Sequence, residues 1–355
     1  MTSATGSRKR LRPCLLVISC CFTLAGETVA APPVAHELAG ARYNDVRWVH
    51  SHNSYSHEGG KPDIEEQARR GVRSFEFDLH RKGAATDDWA VYHGPSPFRW
   101  FSAGAHCDGL KACLGKIMAW HSREHAVVTL WLEIYDGWVD GHQPADLDLI
   151  LRSHLQDKQE QSLIYGPRDM LKDCPGAWNL QQAVTDGCGW PLMKDLKGKF
   201  IIVLHGKTHK LKRYLSDVNH YRRKPGQSPP PVGLCFVAPE IERVDQIGIW
   251  SRGFIYDRDA VFYNLESSSS DVAPHLWKRG FVSRAYRADT QAEWNRFRAH
   301  SVHHMATDHI AFCRADEPLR DSTAACVERF PDIPPVPRGR DRPRSDGQSA
   351  NPLRP

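Results

Sequence analysis

Short apolar runs with a period of two alternate along this chain with longer stretches at helical spacing. The best patterned strand is Val72-Arg73-Ser74-Phe75-Glu76-Phe77-Asp78-Leu79, whose alternation puts Val72, Ser74, Glu76 and Asp78 on one face and Phe75, Phe77 and Leu79 on the other. Before it, Val49 to Tyr55 reads as a short strand ending in His52 and Asn53; after it, Trp89 to Gly94 reads as another ending in His93. Further strands are predicted at Val128–Ile134, Phe200–His205, Val261–Leu265, Phe281–Tyr286 and His303–Thr307, with the run at Leu234 as an extra short one. A helix is predicted from Asp63 to Arg70, entered after Pro62 and stopped by Gly71. Leu110, Leu114, Ile117, Met118 and His121 predict a second helix, and Pro144 opens a third through Leu147, Ile150, Leu151 and Leu155.

Strands alternating with helices predict a parallel α/β fold, and the strand count over residues 40–330 fits one TIM-type (β/α)8 barrel. The link from Leu79 to Trp89 is too short for a helical crossover, so the barrel is expected to be irregular between its second and third strands. Residues 1–31 have the basic and apolar regions of a secretory signal peptide, with cleavage near Val29-Ala30-Ala31. Val17-Ile18-Ser19-Cys20 also resembles a lipoprotein box that would leave a lipid anchor on Cys20. Residues 331–355 are rich in Pro and Arg, poor in apolar side chains, and read as a disordered tail.

The formal charge of +5 belongs to the ends: Arg8, Lys9, Arg10 and Arg12 lie in the leader, and the tail beyond Pro337 carries five arginines against two aspartates. A near-neutral core argues against nucleic acid as a partner. Of the ten cysteines, Cys14, Cys20 and Cys21 fall in the leader. Export permits disulfides, and the sequence-local pairs are Cys107 with Cys113, Cys174 with Cys188 and Cys313 with Cys326, leaving Cys235 in a buried strand. Connectivity does not follow from spacing alone.

The chemistry concentrates between His52 and His93. A histidine after a strand is commonly an ordinary loop residue, and Glu-x-Asp commonly marks a solvated face. Here the opposite face is Phe, Phe and Leu, suited to packing beneath a helix, so Glu76 and Asp78 should point into the barrel. Two like charges there are costly without a counter-cation, and carboxylate and carboxamide oxygens are what calcium, or less favourably magnesium, prefers. His52, Asn53, Asp78, His93, Glu133 and Lys207 all lie at or just past predicted strand ends, where such barrels keep their active sites.

These residues carry a resemblance. Ser51-His52-Asn53-Ser54-Tyr55, Gly71 to Asp78 and Val91-Tyr92-His93-Gly94 together resemble the first half of the catalytic barrel of calcium-dependent phosphoinositide-specific phospholipases C. Val128 to Ile134 and Leu196 to Leu204 are similar to that family's next two strands, and the likeness spans about residues 46–310. It implies Ca2+ held by Asn53, Glu76, Asp78 and Glu133, and attack by the inositol 2-hydroxyl to give a cyclic phosphodiester. It further implies His52 or Glu76 as base, with His52 otherwise stabilising the transition state, and His93 as the acid for the leaving diacylglycerol. Ser283-Arg284-Ala285-Tyr286 resembles a family motif in which the arginine holds a ring phosphate and the tyrosine lies against the inositol, and Lys207 falls near phosphate-contacting lysines. The implied protein is a monomer that is secreted or periplasmic and touches a phospholipid surface transiently. The accessory calcium- and phosphoinositide-binding modules of the eukaryotic enzymes are missing.

Other readings stay open. Glu76-x-Asp78 with Tyr92-His93-Gly94 also resembles glycerophosphodiester phosphodiesterases and sphingomyelinase D-like phospholipases, although Asn53 directly after His52 favours the phospholipase C pattern. A calcium-binding barrel without activity is weakened by the presence of both histidines. The eleven tryptophans admit a carbohydrate-binding protein, but Trp48 and Trp131 sit in strands and are more simply core.

Overall fold

The structure is a computed structural model that describes residues 38–82, 87–94, 105–186, 188–217, 233–248, 257–310 and 327–330. The leader, the Cys20 lipid site, the Cys313 to Cys326 pairing and the tail lie outside these residues. The described strands are β1 (Val46–Ser51), β2 (Ser74–Arg81), β3 (Trp89–Val91), β4 (Val128–Ile134), β5 (Phe200–Gly206), β6 (Phe236–Ala238), β7 (Phe262–Leu265), β8 (Val282–Ala285), β9 (His304–Thr307) and β10 (Val327–Arg329). Eight of them form a parallel path in the order β6-β5-β4-β2-β1-β9-β8-β7. Its two ends meet just past β6, where Asn264 N donates to Pro239 O at 3.0 Å and Ile241 N donates to Asn264 O at 3.1 Å. The result is a nearly closed α/β barrel of the TIM type.

Its connections carry α1 (Ile64–Arg69), α2 (Leu110–Glu124), α3 (Pro144–His154), α4 (Pro167–Asp173), α5 (Leu180–Thr185), α6 (Thr208–Asp217), α7 (Ala273–Trp277) and α8 (Gln291–Ala299). The local signals are legible: the Asp63 side chain caps α1 by accepting from Glu65 N, Pro144 opens α3, and Gly71 takes the left-handed φ of 102° that ends the α1 turn. Among the described residues, no helix is long and apolar enough to cross a membrane.

One strand assignment is corrected. Trp89 to Gly94 does not supply a barrel strand, because β3 folds back antiparallel on β2 with Leu79 opposite Val91 and Arg81 opposite Trp89. The short link forbids a crossover, so the chain makes a hairpin instead. The eighth barrel strand is β6, the extra run of the sequence reading. An unpredicted strand, β10, pairs antiparallel with the start of β1. Cys107–Cys113 and Cys174–Cys188 are disulfides, and Cys235 is buried outside both.

The barrel interior has two layers. One is aromatic: Tyr43 meets Trp190 at 5.1 Å, Trp190 meets Phe262 at 5.2 Å, and Trp131 meets Phe262 at 5.8 Å, all as buried rings. Between this layer and the charged layer runs a chain of hydrogen bonds whose direction is forced. Arg284 can only donate, so His50 Nε2 accepts from its Nε at 3.2 Å and His50 Nδ1–H donates to Ser74 Oγ at 2.7 Å. Ser74 in turn donates to His304 Nδ1 at 2.9 Å, His304 Nε2–H donates to Tyr43 OH at 3.1 Å, and Tyr43 donates to Thr129 Oγ1 at 2.7 Å.

Burial holds several imidazoles neutral. It lowers His50 and His303 to about 3, and His121 to about 4. Because these folded-state values lie below the unfolded value near 6.5, their contribution to stability is complete above that pH and is lost as pH falls toward 4. Denaturant melts should therefore show stability falling by up to about 1.4 kcal/mol per pH unit for each such histidine. His121→Gln should shallow the slope, and a flat profile between pH 6.5 and 4 would contradict the account.

Candidate functional site

The carboxyl ends of the parallel strands gather the charged residues of the barrel. Glu76 and Asp78 stand on β2, Glu133 on β4, His205 on β5 and Arg284 on β8, while His52 and Asn53 follow β1, His93 follows β3 and Asp308 follows β9. The predicted inward face of β2 is borne out: Glu76 is 2% and Asp78 1% exposed, and Phe75, Phe77 and Leu79 pack in the core.

Glu76 is the hub. Its Oε1 accepts from Arg284 Nη2 at 2.5 Å and lies 3.2 Å from His205 Nε2; its Oε2 accepts from Asn53 N at 3.2 Å. Burial alone would raise its pKa, but Arg284, and after it His52 and His205, overcome burial and hold it well below the ordinary carboxylate range. Arg284 is itself buried; it donates to Asn264 Oδ1 at 2.7 Å and lies over the Trp131 ring at 5.6 Å. Asn53 reaches Glu76 because it takes a left-handed φ of 45°, which asparagine tolerates better than most residues, and its Oδ1 accepts from Tyr55 OH at 3.2 Å.

Each predicted catalytic histidine has its own carboxylate. His52 Nδ1 lies 3.2 Å from Asp308 Oδ1, which also accepts from the buried Lys61 Nζ at 2.6 Å; its Nε2 lies 3.8 Å from Glu76 Oε2. Burial would lower the His52 pKa, but Glu76 and Asp308 raise it above the ordinary value. Asp308 also works against burial, being held well below its usual range by His52 and Lys61. His93 Nδ1 lies 3.2 Å from Asp78 Oδ2, and this hydrogen bond pushes its pKa up to about 9. The hairpin explains that contact: Val91 faces Leu79, and two residues later the chain has come back alongside Asp78. With its side chain 53% exposed against 19% for His52, His93 is the more accessible imidazole.

Two groups show what the cluster lacks on its own. Asp78 Oδ1 is buried without a hydrogen-bond partner, and burial, opposed by His205 and reinforced by Asp78 and Glu76, pushes Glu133 up to about 7. Three carboxylates and an asparagine at the barrel mouth, with a single guanidinium among them, fit a divalent cation in charge and donor type.

Asp308, Lys61 and His205 were missed in the sequence. Asp308 directly follows the predicted His303–Thr307 strand and His205 ends the predicted Phe200–His205 strand, so the strand-end argument applied to His52 would have reached both. Lys61 left no such signal. The implied substrate residues separate: Lys207 is exposed, Tyr286 is half-buried and donates to Glu240 Oε1 at 3.0 Å with its ring stacked near His52 at 6.4 Å, and Arg284 is inside the barrel on Glu76.

No protein-family model matches the sequence, and no curated protein matches it. Among solved structures, a calcium-dependent phosphoinositol-specific phospholipase C from Pseudomonas sp. superposes with a TM-score of 0.68 at 19% identity, over 84% of this chain and 97% of that one. A Ca2+-dependent phosphatidylinositol-specific phospholipase C from Streptomyces antibioticus superposes with a TM-score of 0.55 at 18% identity, over 76% of this chain and 96% of that one. The fold is that of these phospholipases C. At such identities the likeness speaks for the barrel, and the side chains must carry the rest.

The burial of Arg284 has a measurable consequence. Removing one partner of a buried pair strands the other charge, so Arg284→Ala should cost about 3–5 kcal/mol in denaturant melts. A guanidinium serving only a substrate phosphate would leave stability unchanged.

Proposed function

We propose that the chain is an exported phosphodiesterase of the phospholipase C type, cleaving the glycerol-side phosphodiester of phosphatidylinositol-type lipids through a cyclic inositol phosphate. The observation that carries this reading is the pair of imidazoles at the barrel mouth, each tied to its own carboxylate, beside a carboxylate cluster suited to a cation. The shared barrel supports it, and the two disulfides suit an oxidising compartment.

Ca2+, with Mg2+ the poorer fit, is the cation proposed for Asn53, Glu76, Asp78 and Glu133, where it would acidify the ring hydroxyl and offset phosphorane charge. Of the two candidate bases, Glu76 is committed to Arg284 and held too acidic, so His52 takes the proton of the 2-hydroxyl. Asp308 holds His52 Nδ1–H and leaves Nε2 for that proton, and Glu76 and Asp308 raise its pKa, which strengthens it as a base. His93, kept protonated by Asp78, gives its proton to the departing diacylglycerol oxygen. Arg284 holds Glu76 in place, Tyr286 offers a ring beside His52 for the inositol, and exposed Lys207 is available to a head-group phosphate. The protein works as a monomer in transient contact with a phospholipid surface, with no nucleic acid partner.

Phosphorus NMR of products from phosphatidylinositol, sphingomyelin and glycerophosphodiesters, with and without chelator, tests the reading. Cyclic inositol phosphate that disappears on chelation is expected; turnover of glycerophosphodiesters alone, or activity untouched by exhaustive chelation, would overturn it. The rate profile should be bell-shaped, falling at low pH as His52 takes up a proton and above about pH 9 as His93 loses one. His93→Ala should slow the natural lipid by about a thousandfold yet be largely rescued on a substrate with a p-nitrophenol-like leaving group, whereas His52→Ala should be slow on both. Equal loss for His93→Ala on the two substrates would leave His93 without an acid role.

A further inference from the structure

The strand register aligns Asp78 of β2 with Glu133 of β4, and Glu133 with His205 of β5. In a parallel sheet, residues in register project to the same side, one strand spacing of about 4.8 Å apart. A row of two carboxylates and an imidazole therefore crosses the barrel mouth one level above Glu76. Ligand atoms of Glu76, Glu133 and His205 all lie within 4.8 Å of one another. His205 is 3% exposed, and its Nε2 makes no well-formed hydrogen bond, with Glu76 Oε1 3.2 Å away. Nor does that oxygen need a second cation, since Arg284 already donates to it at 2.5 Å. A buried imidazole nitrogen without a well-formed hydrogen bond, in a row with the unpartnered Asp78 Oδ1, is a ligand atom in search of a Lewis acid.

We propose that His205 Nε2 is a nitrogen ligand of the cation held at the barrel mouth. The inference deepens the cation reading above and rests on it. It changes the metal preference: calcium favours oxygen donors throughout, whereas manganese accepts a mixed carboxylate and imidazole set. The site should thus take Mn2+ at least as tightly as Ca2+.

Calorimetry with Mn2+ and with Ca2+, followed by pulsed EPR of the Mn2+-loaded full chain, tests this. One Mn2+ per chain, displaceable by Ca2+, with nitrogen-14 modulation from a directly bound imidazole is expected. The modulation should survive in His52→Gln and vanish in His205→Gln, with Mn2+ affinity falling by about tenfold and Ca2+ affinity changing much less. Should His205→Gln not fold, His205→Glu keeps a donor in the row and should bind Mn2+ without nitrogen modulation. Stoichiometric Mn2+ without modulation in the wild-type protein, modulation persisting in either His205 variant, or Ca2+ binding with no Mn2+ binding would each overturn the assignment while leaving the cation reading intact. Failure of both ions to bind would overturn the two together.

Discussion

The mouth of the barrel depends on the buried pair between Glu76 and Arg284. Glu76 touches the segment after β1, through the backbone of Asn53, as well as β5 and β8, through His205 and Arg284. Such a pair is expensive to bury unless further hydrogen bonds support it, and here Arg284 also donates to Asn264 and His50 while Glu76 also accepts from the Asn53 amide. His50 is in turn held neutral and oriented by the hydrogen-bond chain through Ser74, His304, Tyr43 and Thr129. The floor of the barrel thus sets the orientation of the guanidinium, and the guanidinium sets Glu76.

Around that fixed centre, the two mouth histidines are positioned by different means. His52 is fixed by a salt bridge to the next strand's end: Asp308 sits past β9, the parallel neighbour of β1, and buried Lys61 locks Asp308. His93 is fixed by a hairpin rather than a barrel strand, and its ring is half in solvent. In the proposed mechanism, a group that would meet varied leaving oxygens needs that reach, whereas one that would meet a ring hydroxyl beside a bound cation is better held rigid. The difference between a parallel neighbour and a hairpin therefore becomes a difference in how each imidazole can act.

Much of this was legible in the chain before folding was considered. Period-two alternation in Val72 to Leu79 alone determined that Glu76 and Asp78 would share one face, because side chains on a strand alternate whatever the strand pairs with. Alternating strands and helices determined the fold class, and the two local disulfides were among those proposed from spacing. Pairing order, by contrast, is a long-range property. Trp89–Val91 turns back because its link is too short for a crossover, but that the three-residue run at Phe236 completes the barrel follows from which edges the rest of the sheet leaves available, and no local pattern encodes it.

The same limit applies to the site. Sequence placed Arg284 and Tyr286 on one face, but only the closed barrel brings Arg284 onto Glu76, 208 residues away along the chain. His205 gave no charge pattern of its own, and Lys61 gave no sign in the sequence that it would meet Asp308. Local chemistry determined which residues were candidates, since strand periodicity and turn preferences act over a few residues. Tertiary closure decided their partners, since the ion pairs that set their charge join strands remote in sequence, and their strength comes from the burial that closure creates.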